Sequence, residues 1–303
     1  GPTPGPTSPG VTMTTFLQLV ISGLATGSIY GLIALGFVLI YKATDVFNFA
    51  HGDVMALGAF FAFTAVVSMG LPLWVALPAV LLAAALIGVL IQGIIVRPML
   101  GQPLLSIVMA TLGLSLIIRA LEGIVFGSIP RTMPTLFPNR TLVFAGLRVS
   151  TLDLFIMAVS LVALGLFALF FVRSNLGLEM RATAEDYEAA SLTGINGNKI
   201  FTVALALGSV LAATGGMLLG QVTLVNIHMG DLGLLAALPA IVIGGMTSIP
   251  GAVIGGLLVG VLDKLALGYI GGGSQNAVVY AALLVVLMIR PYGLFGERDI
   301  IRV

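Results

Sequence analysis

The stretch Phe16-Leu-Gln-Leu-Val-Ile-Ser-Gly-Leu-Ala-Thr-Gly-Ser-Ile-Tyr-Gly-Leu-Ile-Ala-Leu-Gly-Phe-Val-Leu-Ile-Tyr41 contains no Asp, Glu, Lys or Arg. It exceeds the roughly 20 residues that a helix needs to cross the hydrocarbon core of a bilayer, so it reads as a membrane span. No basic residue precedes it and further apolar runs follow it, which is not the pattern of a cleaved signal peptide. The rest of the chain agrees: of 303 residues 59% are hydrophobic and 8% charged, with a mean hydropathy of +1.16. A soluble domain carries roughly 25% charged residues to solvate its surface, so here lipid covers the surface instead. The runs are apolar throughout and do not alternate as barrel strands do. The expected class is all-α, a polytopic membrane helical bundle.

Apolar runs fall at 16–41, 54–69, 72–95, 104–118, 151–172, 200–225, 232–249, 252–270 and 277–289, which predicts about nine spans. The runs 54–69, 104–118 and 277–289 are short, so broken or half-length helices, or fragments continued by polar residues, are expected there. Residues 1–12, rich in Pro and Gly before Met13, read as a disordered tail or an expression scar; 13–303 reads as one transmembrane domain. An external loop is expected at 119–150, where Pro130, Pro134 and Pro138 cluster, and a cytoplasmic segment at 173–199, the most polar part of the chain. Placing Lys42, Arg97, Arg173, Arg181, Lys199, Arg290, Arg298 and Arg302 inside leaves Arg119, Arg131, Arg140 and Arg148 outside, with Lys264 within or near the end of a span. That asymmetry puts the N-terminus outside and the C-terminus inside.

Asn48-Phe-Ala-His-Gly-Asp53 and Asn226-Ile-His-Met-Gly-Asp231 share Asn, Gly and Asp at an offset of 178, and they contain the two His residues of the chain. Each follows a long span, and the two spans end on opposite sides: the pattern of an inverted repeat, which in transporters places the substrate path between halves. Asn48, His51, Asp53, Asn226, His228 and Asp231 are therefore candidates to line a path. Asp53 and Asp231, each just before an apolar run, equally suit helix N-caps. Gly23, Gly27 and Gly31, then Gly251 and Gly255, and Gly256 and Gly260, recur every four residues, which favours close helix packing. Leu178 to Leu192 reads as one short helix stopped at Gly194, with Arg181, Glu185, Asp186 and Glu188 charged beside small apolar residues.

Within that segment Glu188-Ala189-Ala190, followed by Gly194, resembles the EAA loop through which ABC importer permeases meet their ATPases. Gly31-Leu-Ile-Ala-Leu-Gly36, Asn48-Phe-Ala-His-Gly52, Arg181-Ala-Thr-Ala-Glu-Asp186, Ala190-Ser-Leu-Thr-Gly-Ile-Asn196 and Gly244-Gly-Met-Thr-Ser-Ile-Pro-Gly-Ala-Val-Ile-Gly-Gly256 extend the likeness to about Met13 through the C-terminus. Together they resemble the LivH-type permeases of the branched-chain amino acid importer family. One departure is that Phe201 to Leu207 lacks the Pro of the broader EAA pattern.

The resemblance implies a non-catalytic permease subunit in a bacterial or archaeal plasma (inner) membrane. It implies a second, LivM-like permease, two ABC ATPase subunits and an extracytoplasmic substrate-binding protein as partners. Cofactors would then be ATP and Mg in the ATPases and none on this chain. The cargo implied is a branched-chain or other hydrophobic amino acid, and the coupling residues implied are Arg181, Glu185, Asp186, Glu188, Ala189, Ala190 and Gly194. The sequence itself holds no P-loop, no H-E-x-x-H and no G-x-S-x-G, and a net charge of +1 gives nucleic acid no basic field. The alternative is a gradient-driven secondary transporter that relays ions through His51, Asp53, His228 and Asp231.

Overall fold

The computed structural model describes residues 13–135, 140–144 and 147–296. The expected tail at 1–12 lies outside the described residues, as do Arg298 and Arg302. The elements are α1 (Met13–Thr44), α2 (His51–Phe63), α3 (Leu73–Ile91), α4 (Arg97–Met99), α5 (Leu104–Phe126), β1 (Thr141–Phe144), β2 (Leu147–Ser150), α6 (Thr151–Arg173), α7 (Asn175–Glu185), α8 (Tyr187–Leu192), α9 (Gly197–Leu219), α10 (Met229–Gly244), α11 (Ile249–Tyr269) and α12 (Ser274–Ile289). Wider helical turns at Thr64–Ser68 and Gln92–Val96 extend α2 and join α3 to α4. Among the described residues, seven helices are long and apolar enough to cross a membrane. They are α1, α2 to Ser68, α3 to Met99, α5, α6, α9 and α11, while α10 and α12 are apolar but shorter. Each of the nine apolar runs of the sequence has its helix, although 200–225 outruns α9 at Leu219 and 232–249 outruns α10 at Gly244, so the polytopic helical bundle stands.

Local chemistry sets the boundaries. Ser150, Asn196 and Ser248 cap α6, α9 and α11 by accepting the N–H groups of Leu152, Lys199 and Gly251, and Gly127 at φ 82° ends α5. The structure corrects the outer boundary of the long loop. The 104–118 run does not stop at Arg119: α5 continues through Arg119 and Glu122 to Phe126, because the Arg119 side chain is paired inside the protein and Glu122 is buried. Arg119 thus leaves the outer charge tally, which sharpens the Lys/Arg asymmetry. What remains of the loop includes the hairpin β1–β2, in register Thr141↔Ser150, and a backbone bridge between Arg131 and Val225.

The centre of the bundle is made by α1 and α9, whose most apolar windows are 83% and 72% buried, against 22% for α5 and 17% for α6. Glycine permits the crossing. A Cβ at Gly36 would lie 2.7 Å from the Gly208 carbonyl oxygen, and one at Gly208 2.9 Å from that of Gly36. Further along, Gly215 packs on Ile29 and Ile33, so residue numbers rise on one helix as they fall on the other. The two helices run antiparallel, as first members of an inverted repeat must. The packing around them is reciprocal as well: α11 lies on α1, and α3 lies on α9. The halves are therefore α1–α2–α3–α5 and α9–α10–α11–α12, with α6, α7 and α8 between them in the chain.

Candidate functional site

The two six-residue segments that carry the repeat fold alike. Asn48 Oδ1 accepts from Ala50 N at 3.2 Å, and His51 N donates to Asn48 O at 3.2 Å. At an offset of 178, Asn226 Oδ1 accepts from His228 N at 2.9 Å, and Met229 N donates to Asn226 O at 3.0 Å. Each Asn thus bends the chain into a helix start through its own side chain. The two starts then meet: a Cβ on Gly52 would sit 2.5 Å from the Gly230 carbonyl oxygen, and one on Gly230 2.8 Å from Gly52 C and O. Only paired glycines let these backbones touch, so the N-terminal, electropositive ends of α2 and α10 abut.

Asp53 and Asp231 lie in the first turns of those helices, and α5 supplies what joins them. Arg119 Nη2 donates to Asp53 Oδ1 at 3.1 Å and also to Asp231 Oδ1. The Ser115 hydroxyl, one turn earlier on α5, bonds the Asp53 carboxylate too. Exposure grades across the cluster, with the Asp53 side chain 2% exposed, Arg119 20% and Asp231 46%. One turn beyond Arg119, Glu122 is wholly buried and neither of its carboxyl oxygens has a hydrogen-bond partner.

The N-cap reading of Asp53 and Asp231 is thereby corrected. The cap positions are Ala50 and His228, neither of which caps through its side chain, and the carboxylates sit one turn in and face Arg119. The other candidates divide by burial. Asn48 and His51 are enclosed, and His51 Nε2 lies 3.1 Å from Ile33 O with its ring edge-on to Phe37. Asn226 is partly exposed and His228 exposed, its Nδ1 4.0 Å from Asp231.

The polar segment between the halves is two helices, not the single one expected over Leu178 to Leu192. Asp186 breaks it at φ −154°, and its carboxylate caps α8 by accepting from Ala189 N at 2.9 Å. At the other end Gly194, at φ 90°, closes α8: Gly194 N donates to Ser191 O and Ile195 N to Ala190 O, the Schellman pairing that a left-handed residue makes. Arg181 turns inward, donating to Phe171 O and lying 5.3 Å from the Phe171 ring centroid, so it ties α7 to the end of α6. Glu185, Asp186, Glu188, Ala189 and Gly194 are exposed, and Ala190 is buried. Leu192, 88% exposed, projects beside them.

Compared with known proteins, residues 19–289 match the family model described as branched-chain amino acid transport system / permease component. The chain belongs to this permease family. Among curated relatives, the high-affinity branched-chain amino acid transport system permease protein BraD of Pseudomonas aeruginosa is 33% identical, over 95% of this chain and 98% of its own. LivH of Escherichia coli K12 is 32% identical over the same shares, and a probable LivH of Methanocaldococcus jannaschii is 28% identical over 88% of each chain.

For this permease, reading the sequence missed Arg119 and Glu122, the two residues of α5 that complete the cluster. A signal was present. Ile117-Ile118-Arg119-Ala120-Leu121-Glu122-Gly123-Ile124-Val125-Phe126 stays strongly apolar around two charges three apart, which in a span marks an inward-facing pair and not a loop.

Proposed function

We propose that the chain is one permease subunit of an ABC importer, forming with a second, LivM-like permease the translocation path for branched-chain or other hydrophobic amino acids. Two ATPase subunits that bind ATP and Mg would drive it, and an extracytoplasmic binding protein would deliver the cargo across a bacterial or archaeal plasma membrane. The observation that carries this reading is α8. It is a short helix, capped at both ends, that exposes Glu188, Ala189 and Leu192 at the connection between two inverted halves. A helix so defined at both ends yet exposed on one face suits docking into a groove of a partner. Motion there has a route inward, since Met180 and Ala184 of α7 line one small cavity with Leu39 and Ala43 of α1, Phe171 of α6 and Ile249 of α11. The chain itself would carry no catalytic site.

The test is to purify the chain from its native membrane in mild detergent and identify by mass spectrometry what accompanies it. A second permease and P-loop ATPases in the preparation are the expected result. Recovery alone, with uptake by the lone protein in ATP-free liposomes, would overturn the reading in favour of a gradient-driven carrier.

A further inference from the structure

We propose that the Asp53–Arg119–Asp231–Glu122 cluster is a transient site for the zwitterionic headgroup of an α-amino acid, which enters by inserting between Arg119 and Asp231. The inference rests on the transport reading above and goes further by assigning the residues that hold the cargo.

The cluster is short of donors. Two carboxylates, Asp53 and Asp231, share the single guanidinium of Arg119, and a third carboxyl group, that of the fully buried Glu122, is left with no partner on either oxygen, although it lies one helical turn from Arg119 and within electrostatic reach of both Arg119 and Asp53. Buried polar groups are normally satisfied, so a carboxyl left bare beside an ion pair marks a place where a donor is missing. An ammonium group brings three N–H donors and no acceptor. Arg119 in turn keeps a buried Nε without a partner, an unused edge of a fork that suits a carboxylate.

The gradation of exposure says which bond opens. Asp53, 2% exposed, is the fixed anchor that keeps Arg119 in place, while Asp231, 46% exposed, is the face of the cluster that can be reached and displaced. Insertion then exchanges ion pairs without creating an unpaired charge. The cargo carboxylate replaces Asp231 on Arg119, and the cargo ammonium takes the released Asp231 carboxylate, with Glu122 as a further acceptor. No bond other than hydrogen bonds and ion pairs changes. Because one charge pair is replaced by two, neither desolvated alone, the headgroup avoids the large cost of passing uncompensated through a low-dielectric interior. The abutting starts of α2 and α10 put this exchange at the junction of the two halves.

The experiment is uptake of radiolabelled leucine by cells that lack the chromosomal copy of this chain and carry wild type, Asp231→Asn or Asp231→Glu, with the membrane level of each protein measured alongside. It is paired with saturation-transfer NMR on the full chain in nanodiscs, using leucine, leucinol and 4-methylvalerate. Losing one charge-assisted partner predicts a fall in maximal uptake of at least about tenfold for Asp231→Asn at an unchanged membrane level, with partial recovery in Asp231→Glu. It also predicts NMR transfer to leucine that exceeds transfer to the two analogues and disappears in Asp231→Asn. Wild-type uptake by Asp231→Asn, or equal transfer to all three compounds, overturns the site but leaves the transport reading intact. Failure of the wild-type gene to restore uptake of leucine and of the other branched-chain and hydrophobic amino acids run beside it would instead remove the transport reading itself. Should Asp231→Asn not reach the membrane, the comparison of the three compounds on wild type decides the question.

Discussion

Replacing Gly27 by Ala tests the seam between α1 and α11. The added Cβ would lie 2.8 Å from Leu257 Cα and 2.8 Å from the Gly256 carbonyl oxygen. Carbon atoms in contact prefer about 3.5–4.0 Å, so the two backbones must separate by roughly 1 Å at that level. No flexible side chain can yield there, and overpacking of this kind costs about 1–3 kcal/mol. Gly23→Ala, whose Cβ would meet Val261 Cα at 2.7 Å, should behave in the same way. Gly31 is the internal control on the same stripe, because its nearest neighbour, Val253 O, is 3.4 Å away, an ordinary contact. Gly165 of α6 is the control for substitution alone, with nothing within 4 Å. In a bilayer the separated spans stay helical, so the gain in helix propensity from Gly to Ala counts little and packing decides the sign. Thermal loss of the monodisperse peak on size exclusion in detergent should therefore fall by about 2–8 °C for Gly27→Ala and Gly23→Ala, at a few degrees per kcal/mol. It should move by no more than about 1 °C for Gly31→Ala and Gly165→Ala. Equal midpoints for Gly27→Ala and Gly165→Ala would refute the claim that backbone contact holds this seam.

Arg119→Met should cost about 3–5 kcal/mol, because it strands the buried Asp53 carboxylate, and adding Asp53→Asn should recover most of that loss; additive single effects in the same thermal assay would contradict the pairing. Asp186→Ala removes the cap of α8 at a local cost of about 0.5–2 kcal/mol, so hydrogen exchange at 187–193 should quicken while the global midpoint stays put. Gly194→Val must hold a β-branched residue at φ 90° in open space, so it should impair transport at an unchanged membrane level through strain of roughly 1–2 kcal/mol, and Gly194→Asn should be milder. Identical transport by the Val and Asn variants would show that the backbone conformation at 194 is not what matters.

The amount of this that could be read from sequence follows from the range of the forces involved. Spans are written locally: lack of charge over some twenty residues is enough, and all nine apolar runs became helices. The glycine stripe was equally local, although which stripe meets which helix was not. Gly256 and Gly260 face α1, whereas Gly251 and Gly255 face Gly244 and Ala240 of α10, and only assembly distinguishes them. The site was legible in half. Asn48-x-x-x-Gly52-Asp53 and its copy carry both the turn and the contact, and the repeat pointed to them. What joins them is a residue 66 positions from one Asp and 112 from the other, so no local pattern specifies the Arg119 bridge. The capping assignment failed for a related reason: an Asp near a helix start suits a cap by propensity, but here the Asn five residues earlier makes the turn, and a long-range cation takes the carboxylate. In the polar segment, Asp186 was counted as a charge of one helix when its short side chain begins a second.

The arrangement also constrains how the halves can move. Each half donates a helix to the other, since α11 lies on α1 and α3 lies on α9, and both unions are made of backbone held against backbone at glycine. A seam of that kind has no graded open state, because separating it by an ångström forfeits much of the contact along its length. The halves of this chain are therefore not built to rock against one another as rigid repeats: α1, α2, α3, α9, α10 and α11 pack as one body, since α2 meets α9 at Gly58 and Gly216 and α10 meets α11 at Gly251 and Gly255 in the same way. Two elements are left with freedom. One is the half-exposed Asp231 side chain, whose ion pair with Arg119 can change partners, and the other is the pair α7 and α8, tied to the bundle through Arg181 and Met180. If the chain pairs with a second permease as proposed above, alternating access would turn this whole bundle against that partner, with α8 as the point of push. Cross-linking α1 to α11 through Cys introduced at Gly31 and Val253, where an added Cβ at Gly31 would lie 3.6 Å from Val253 Cα, should accordingly leave uptake unimpaired; loss of uptake on locking that seam would show that the halves do separate.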